Sequence, residues 1–196
     1  MRASETIGKK TSNLPLHPDY VTGLIDGEGS FSVSILKRTV YKTGWSISPV
    51  FTISLHSRDA ILLHRIQSFF GVGKITIRKR DGVVYYTVNS LADLAVIIRH
   101  FDKYPLLTKK QADFELFKQI IGIMSKKEHL NSEGLQKVIN LKSSMNKGST
   151  PILIKHFPNL NPVNRPSVKI PVNLNPNWVA GFVDAEGCFF YFNYKI

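Results

Sequence analysis

Two short acidic segments, each ending in glycine, are the residues of this chain best suited to chemistry. The first reads DGEG at 26–29 and the second reads DAEG at 184–187. Carboxylate oxygens, together with water, are the ligands that hard divalent cations such as Mg²⁺ prefer. The two segments therefore point to a divalent-cation site, with Glu28 and Glu186 as the candidate ligands.

The acidic segments belong to a longer internal repeat. VTGLIDGEGSF at 21–31 aligns with VAGFVDAEGCF at 179–189, with six of eleven positions identical and an offset of 158 residues. Repetition on this scale indicates a duplicated domain. Small residues recur four positions apart in each copy, on one face of a helix, where they let two helix backbones approach closely. The candidate residues of this interface between helices are Gly23, Asp26, Gly27, Gly181, Asp184 and Ala185.

The helix ends place the two glutamates unfavourably. A carboxylate near a helix C-terminus is disfavoured by the helix dipole, and two carboxylates brought together repel each other. Divalent cations that bridge Glu28 and Glu186 would explain this placement. For one copy alone, a glycine C-cap beside an incidental surface acid is the favoured interpretation. Two matching copies in a basic protein favour the cation site.

The chain is strongly basic, and the charge is unevenly distributed. Its 196 residues include 26 Lys and Arg against 14 Asp and Glu, which gives a formal net charge of +12. Nine of the basic residues lie between Ser30 and Arg80, where Asp59 is the only acid. Such a block favours a polyanionic partner. Binding to a membrane surface is the competing interpretation, but it prefers a basic amphipathic helix, and this block is patterned as strands.

The composition excludes several other classes of protein. Hydrophobic residues make up 43% and aromatic residues 11%, too many for a disordered tail. The single cysteine, Cys188, excludes an intrachain disulfide and a cysteine-based zinc cluster. No apolar run approaches the roughly 18–20 residues that span a bilayer, so we expect no membrane partner.

Alternating polar and apolar residues predict strands at 30–36, 46–55, 74–80 and 83–89, the last two joined by an Asp81-Gly82 hairpin turn. Pro49 requires an edge or a bulge in the second strand. Lys and Arg can contact guanine edges or phosphates, and Ser, Thr and Asn can bond in the major groove. An ordinary solvated strand face is the alternative. The candidate nucleic-acid contacts are Ser30, Ser32, Ser34, Lys37, Arg38, Thr52, Ser54, Lys74, Thr76, Arg78, Arg80, Thr87 and Asn89.

Capping signals predict the helices. Ser57 is the expected N-cap of a helix at 58–70 that ends at Gly71, and two capping boxes, Ser90 with Asp93 and Thr108 with Gln111, open two more. A further helix is expected at 132–146, whereas the segment 20–28 suits a strand or a helix. The predicted domain organisation is a leader at 1–18, a first domain at 19–147, a mostly extended Pro-rich linker at 148–176 and the start of a second domain at 177–196.

The repeated segments resemble the two signature motifs of the LAGLIDADG homing endonucleases, in the single-chain form typical of organelle introns. The nine-residue signature falls on VTGLIDGEG at 21–29 and on VAGFVDAEG at 179–187. The segments YPLLTKKQADFELF at 104–117 and EHLNSEGLQKVINLKSSMN at 128–146 also resemble single-chain members. The likeness covers roughly 20–196.

This resemblance implies an α+β fold in which a four-stranded antiparallel sheet, backed by helices, forms a saddle over DNA. It implies site-specific hydrolysis of double-stranded DNA, with Glu28 and Glu186 as catalytic residues that hold Mg²⁺ or another divalent cation such as Mn²⁺. Lys110 or Lys109 is the family-like candidate for an assisting cation. A mitochondrial location and a monomeric complete form also rest on the resemblance alone.

Only nine residues follow the second signature, so we expect one complete domain plus the first helix of a second. A fragment of a longer reading frame is the favoured explanation, ahead of a decayed remnant and of pairing with another chain. We expect such a chain to bind DNA but to cut it poorly. An RNA-binding maturase that assists splicing of its own intron is the alternative function, and the retained acids favour cleavage over it.

Overall fold

The computed structural model describes residues 14–78 and 80–188 of the chain. Most of the expected leader, Lys79 and the apolar segment after Cys188 lie outside these residues. Short 3₁₀ turns lie at Ser57–Asp59 and at Glu128–Leu130. The elements are α1 (Pro18–Glu28), β1 (Gly29–Lys37), β2 (Trp45–His56), α2 (Ala60–Phe70), β3 (Lys74–Arg78), β4 (Val83–Val88), α3 (Leu91–Lys103), α4 (Lys110–Ser125), α5 (Ser132–Ser143), α6 (Pro151–His156) and α7 (Pro176–Glu186).

The four strands form one antiparallel sheet in the order β1-β2-β4-β3, which confirms the expected α+β class. Side chains alternate along each strand, so every second residue points to the helices. The register aligns Ser30, Thr52, Thr87 and Lys74 in one row across all four strands. One face of the sheet is therefore polar and open, while the other forms the core. Pro49 pairs with Val33 of β1, in a stretch of β2 that has no β4 neighbour.

The core centres on Phe31 of β1. Its ring contacts those of Phe51, Phe101, Phe114 and Phe117, with centroids 5.1–5.7 Å apart. These rings come from β2, α3 and α4, so one side chain ties the sheet to two helices. Fully buried aromatic clusters of this kind contribute both apolar burial and favourable edge-to-face contacts.

Of the three predicted N-caps, Ser90 is right, Ser57 is wrong and Thr108 is right only in part. The 58–70 helix begins instead at Ala60, because Ser57 lies in a 3₁₀ turn and the His56 ring, not the serine, accepts from Arg58 N at 3.3 Å. Gly71 does end this helix in the left-handed conformation, with φ of 69°. The Ser90 hydroxyl caps α3 by accepting from Asp93 N at 3.1 Å, as expected.

The Thr108–Gln111 capping box is also absent. Helix α4 begins at Lys110 without a side-chain cap from Lys109. The Thr108 hydroxyl accepts from Lys110 N at 3.2 Å and donates to Asp26 Oδ1 at 2.7 Å. The Gln111 side-chain oxygen is buried without a hydrogen-bond partner in the described part of the chain. The Thr108 hydroxyl therefore serves both the start of α4, as an acceptor, and the distant Asp26 carboxylate, as a donor.

The segment at 148–176 is only partly an extended linker. It contains the short helix α6, whose Leu153 is buried, and Phe157, Leu160 and Val163 pack against the core. The Ser144 hydroxyl donates to Val163 O at 2.6 Å. Beyond Arg165 the segment runs largely exposed to α7. Its first half thus belongs to the packed domain.

Among the described helices, none has the length and apolar character required to cross a membrane.

His100 of α3 is partly buried among aromatic rings beside α1. Its ring lies 4.9–5.4 Å from those of Phe69, Phe70, Phe101 and Tyr104. The Thr22 hydroxyl donates to Tyr104 O at 3.1 Å, so the His100 Nε2–H must be the donor in its 3.0 Å contact with that hydroxyl. The neutral tautomer with its proton on Nε2 fits this contact. Burial lowers the pKa of His100 to about 4.

We expect His100 to make the fold acid-sensitive. The unfolded chain takes up this proton near pH 6.5 and the folded chain only near 4, so stability is lost as pH falls through that window, by about 3 kcal/mol at most. Urea unfolding at pH 7 and pH 4.5 measures the loss. His100→Gln should lose less stability on acidification than the matched variant His64→Gln, which changes an exposed side chain of α2. Equal losses in the two variants would contradict the assignment.

Candidate active site

Helices α1 and α7 run side by side in the same direction, so their C-terminal ends lie together. A Cβ on Gly23 would overlap the Trp178 carbonyl oxygen and lie 2.9 Å from Phe182 N. A Cβ on Gly181 would overlap the Tyr20 carbonyl oxygen and lie 2.8 Å from Leu24 N. Both sites exclude any side chain larger than hydrogen. Further along the same contact, Gly27 lies against Ala185 and Glu186.

Two crossed hydrogen bonds join the same helices. The Trp178 Nε1–H donates to Asp26 Oδ2 at 2.9 Å, and the Tyr20 hydroxyl donates to Asp184 Oδ2 at 2.7 Å. Tyr20 and Trp178 occupy equivalent positions of the repeat, as the two aspartates do. Sequence reasoning missed both aromatic residues. Extending the repeat one position towards the N-terminus would have singled them out.

Asp26 also binds the segment that leads into α4. Its carboxylate accepts from Leu107 N at 2.7 Å, from Thr108 N at 3.2 Å and from the Thr108 hydroxyl at 2.7 Å, in addition to Trp178. The residue is only 4% exposed. Four donors satisfy the buried charge. Asp26 therefore links α1 to α7 and to the start of α4 through hydrogen bonds, and it is not exposed as a metal ligand.

Glu28 and Glu186 are the last residues of α1 and α7. Burial and the nearby charge of Glu186 raise the pKa of Glu28, while the Lys110 ammonium opposes this rise. Within the described part of the chain, neither carboxylate accepts a hydrogen bond. Two converging carboxylates without donors are an unfavourable arrangement unless a cation joins them.

Lys110 is the cation that the structure brings to this centre. Its ammonium donates to Ile25 O at 2.9 Å and to Gly27 O at 2.7 Å, so it caps the negative end of the α1 dipole. Burial lowers the pKa of Lys110, and the charges of Asp26, Glu186 and Glu28 oppose that shift. Lys109 precedes α4 and lines the adjacent cleft. Of the two lysines left open by the sequence, Lys110 is the one bound to α1.

The two glutamates open into different clefts. Glu186 lines one cleft together with Lys110, Ser30 and Asn146. Glu28 lines another, together with Ser54, His56, Arg58 and Asp184. Each cleft therefore combines one glutamate with a residue from the open face of the sheet.

The donor set fits a divalent cation only in part. Among the described residues, no group of three or more His, Cys, Asp and Glu side chains could enclose a metal ion. Mg²⁺ is commonly held by one or two carboxylates, with water and substrate phosphates completing its shell. Glu28 and Glu186 fit such an ion, provided that a phosphate supplies further oxygens.

Most of the predicted nucleic-acid contacts share the open face of the sheet. Asn89 follows β4 directly, and Arg38 and Arg80 lie in exposed turns. Lys37 differs, because the alternation of β1 directs it away from this face and its ammonium lies 3.4 Å from His156 Nε2. The candidates on the strands of this face are Ser30, Ser32, Ser34, Thr52, Ser54, Lys74, Thr76, Arg78 and Thr87.

The structure adds Ser48 and Tyr85 to the open face. They follow the same alternation as Thr52 and Thr87, a signal that was present in the sequence. The Arg78 guanidinium lies 5.1 Å from the Tyr85 ring centroid and donates from Nε to Asp81 Oδ1 at 2.8 Å. Arg78 is thus oriented at the exposed end of the β3–β4 hairpin.

The comparison with known proteins agrees with this geometry, in which two paired helices end in acids beside an open polar sheet. Residues 21–121 match the family model described as LAGLIDADG endonuclease. The chain belongs to the LAGLIDADG endonuclease family. It is 42% identical over 180 residues to a probable intron-encoded endonuclease 3 of Neurospora crassa, covering 91% of this chain and 34% of that relative.

Two solved LAGLIDADG structures superimpose on most of the chain. The meganuclease I-CpaMI bound to uncleaved DNA is 44% identical, with a TM-score of 0.83 over 87% of this chain and 58% of that one. I-SmaMI bound to an uncleaved DNA target in the presence of calcium ions is 39% identical, with a TM-score of 0.83 and the same two coverages. The expected fold and family are confirmed. The chain spans about a third of the Neurospora relative and just over half of each structure.

We expect Gly23→Ala to separate the LAGLIDADG helices. The added methyl would overlap the α7 backbone, and overpacking of this kind costs about 1–3 kcal/mol or more. In a Trp45→Phe background the emission of Trp178, 8% exposed in the structure, should shift to the red and become accessible to a quencher. Gly122→Ala is the matched control, because a Cβ there meets no atom within 4 Å and should stabilise α4 slightly. Unchanged Trp178 emission in Gly23→Ala would show that the close contact is absent.

Proposed function

We propose that the protein is a homing endonuclease that hydrolyses double-stranded DNA at a specific site with the help of a divalent cation. The observation that carries the proposal is the convergence of Glu28 and Glu186 at the paired ends of α1 and α7, without hydrogen-bond donors of their own in the described residues. The names of the relatives and the DNA in the two solved structures support it.

We propose Mg²⁺, or Mn²⁺ in its place, as the cation held by Glu28 and Glu186. When bound, such an ion lowers the pKa of water and stabilises the leaving oxygen of a phosphodiester. The calcium ions present with I-SmaMI support a divalent cation in this family. The raised pKa of Glu28 has the sign expected of a carboxylate that a cation would stabilise in its charged form.

Lys110 would assist from within the protein. An ammonium has three N–H donors, and the Ile25 and Gly27 carbonyls occupy two of them. The third remains for a phosphate oxygen or a water molecule. Because Lys110 is positive and close to both glutamates, it also reduces the repulsion between them and an approaching phosphate.

The open face of the sheet would hold the DNA. Short polar side chains on β1, β2 and β4 suit base edges in the major groove, and Lys74 and Arg78 on β3 suit phosphates or guanine edges. The proposed partner is therefore double-stranded DNA, bound by a complete form that is monomeric. An organellar, mitochondrial location is part of the proposal, supported by the intron-encoded Neurospora relative.

The maturase alternative is not favoured. Both acids at the helix ends are retained, and the comparisons name endonucleases. Tight binding of intron RNA without any cleavage of DNA would reverse this preference.

Glu28→Gln should abolish cleavage and leave DNA binding intact. Loss of one carboxylate removes a proposed metal ligand, so we expect the cleavage rate to fall by about 100-fold or more. The measurement uses a pool of duplexes with a randomised centre, incubated with Mg²⁺, from which cut ends are sequenced and the best site is resynthesised for kinetics. Glu128→Gln, at an exposed 3₁₀ turn, is the matched control. Cleavage that survives Glu28→Gln would remove Glu28 from the site.

Lys74→Ala should weaken DNA binding for every sequence and reduce its dependence on salt. If Lys74 contacts one phosphate, the slope of log K against log salt should fall by about 0.9. Fluorescence anisotropy measures binding of the selected duplex at KCl concentrations from about 50 to about 300 mM, and the affinities give this slope. Lys126→Ala, at the exposed end of α4, provides the matched loss of charge away from the sheet. Equal slopes in the two variants would exclude a contact by Lys74.

A further inference from the structure

Arg165 anchors the middle of the Pro-rich linker to the first domain. Its Nη1 donates to Asp113 Oδ1 at 2.9 Å and to Ser144 O at 2.5 Å, and its Nη2 donates to Lys109 O at 3.5 Å. Three acceptors on two elements are thus joined by one guanidinium. Such a planar, multidentate arrangement is specific to arginine.

The acceptor Asp113 lies in the first turn of α4. Its Oδ1 also accepts from Asn146 N at 2.8 Å, in the turn after α5. Asn146 adopts a left-handed φ of 48° and donates from Nδ2 to Phe31 O of β1 at 2.9 Å. One carboxylate oxygen therefore joins the linker to α4 and to a turn that is fixed to the sheet.

This cluster lies beside the residue that reaches the metal centre. Lys110 opens α4 one turn before Asp113, and its ammonium extends to the Ile25 and Gly27 carbonyls of α1. Asp113, Asn146, Lys109 and Lys110 line the same cleft as Glu186. On the opposite side, Asp26 binds Leu107 and Thr108, which lead into α4.

We propose that Arg165 is a positioning residue for Lys110. By holding the Lys109 carbonyl and Asp113, the linker fixes the first turn of α4 and so keeps the Lys110 ammonium against the end of α1. The same contact anchors the chain that leads to α7 and Glu186. The linker thus helps to position Lys110 in the cleft of Glu186 and the end of α7, which lines the cleft of Glu28. This inference rests on the proposed nuclease function for its effect on rate, but not for its effect on structure.

The first test compares Arg165→Gln with Lys169→Gln in the full chain. Lys169 is exposed in the same linker, so its variant matches the loss of charge. In Arg165→Gln, hydrogen exchange at the amides of 107–112 should quicken by about tenfold, and Lys110 should react faster with an amine-acetylating reagent. Neither should change in Lys169→Gln. Unchanged exchange and acetylation in Arg165→Gln would overturn the proposal, whether or not the chain cleaves DNA.

The second test separates positioning from general structural support. With the duplex selected above, kcat of Arg165→Gln should fall by about tenfold, while KM and the thermal midpoint stay close to those of Lys169→Gln. Arg165→Lys should recover part of kcat, because it keeps the charge but contacts fewer acceptors. An unchanged kcat alongside faster exchange would overturn the positioning role. Absence of cleavage by the unaltered protein would count against the nuclease function alone. Hydrogen exchange and acetylation test the contacts of Arg165 without relying on cleavage.

Discussion

The close approach of α1 and α7 is the constraint on which the rest of the structure depends. Backbone contact at Gly23 and Gly181 brings two helix C-termini together, and with them the carboxylates of Glu28 and Glu186. Dipoles and charges oppose this arrangement. It is offset by apolar contact along the helices, by the crossed bonds to Asp26 and Asp184, and by the Lys110 ammonium at the end of α1.

The features that follow from local pattern could be predicted from the sequence. Alternation along β1 and β4 decides which side chains face the core, because a strand has a period of two. The repeat of small residues likewise predicts a close contact between helices, because larger side chains would keep the two helix backbones apart. Even Ser48 and Tyr85 obey the same alternation and were recoverable by applying it along the whole of each strand.

The features that depend on distant partners could not be predicted in this way. Local pattern predicts that Thr108 bonds the start of a helix, but not that its hydroxyl also donates to Asp26, 82 residues away. The sequence does not distinguish Lys109 from Lys110. Only the rotation of α4 about its axis decides that the Lys110 side chain faces α1. The prolines between 148 and 176 suggest an extended linker, but they do not reveal that Arg165 binds Asp113 across 52 residues. Long-range polar bonds leave little trace in local spacing.

Alternation in the sheet also separates the surface that would select a DNA sequence from the packing that keeps the protein folded. Side chains such as Ser32 and Thr76 can be exchanged without touching Phe31 or its neighbours, so target preference is free to drift or to be redesigned while the scaffold is preserved. Ser30 is different. It stands in the row across the sheet and also lines the cleft of Glu186 and Lys110. In the proposed DNA complex, a change at Ser30 would therefore alter base recognition and the surroundings of Glu186 and Lys110 at the same time.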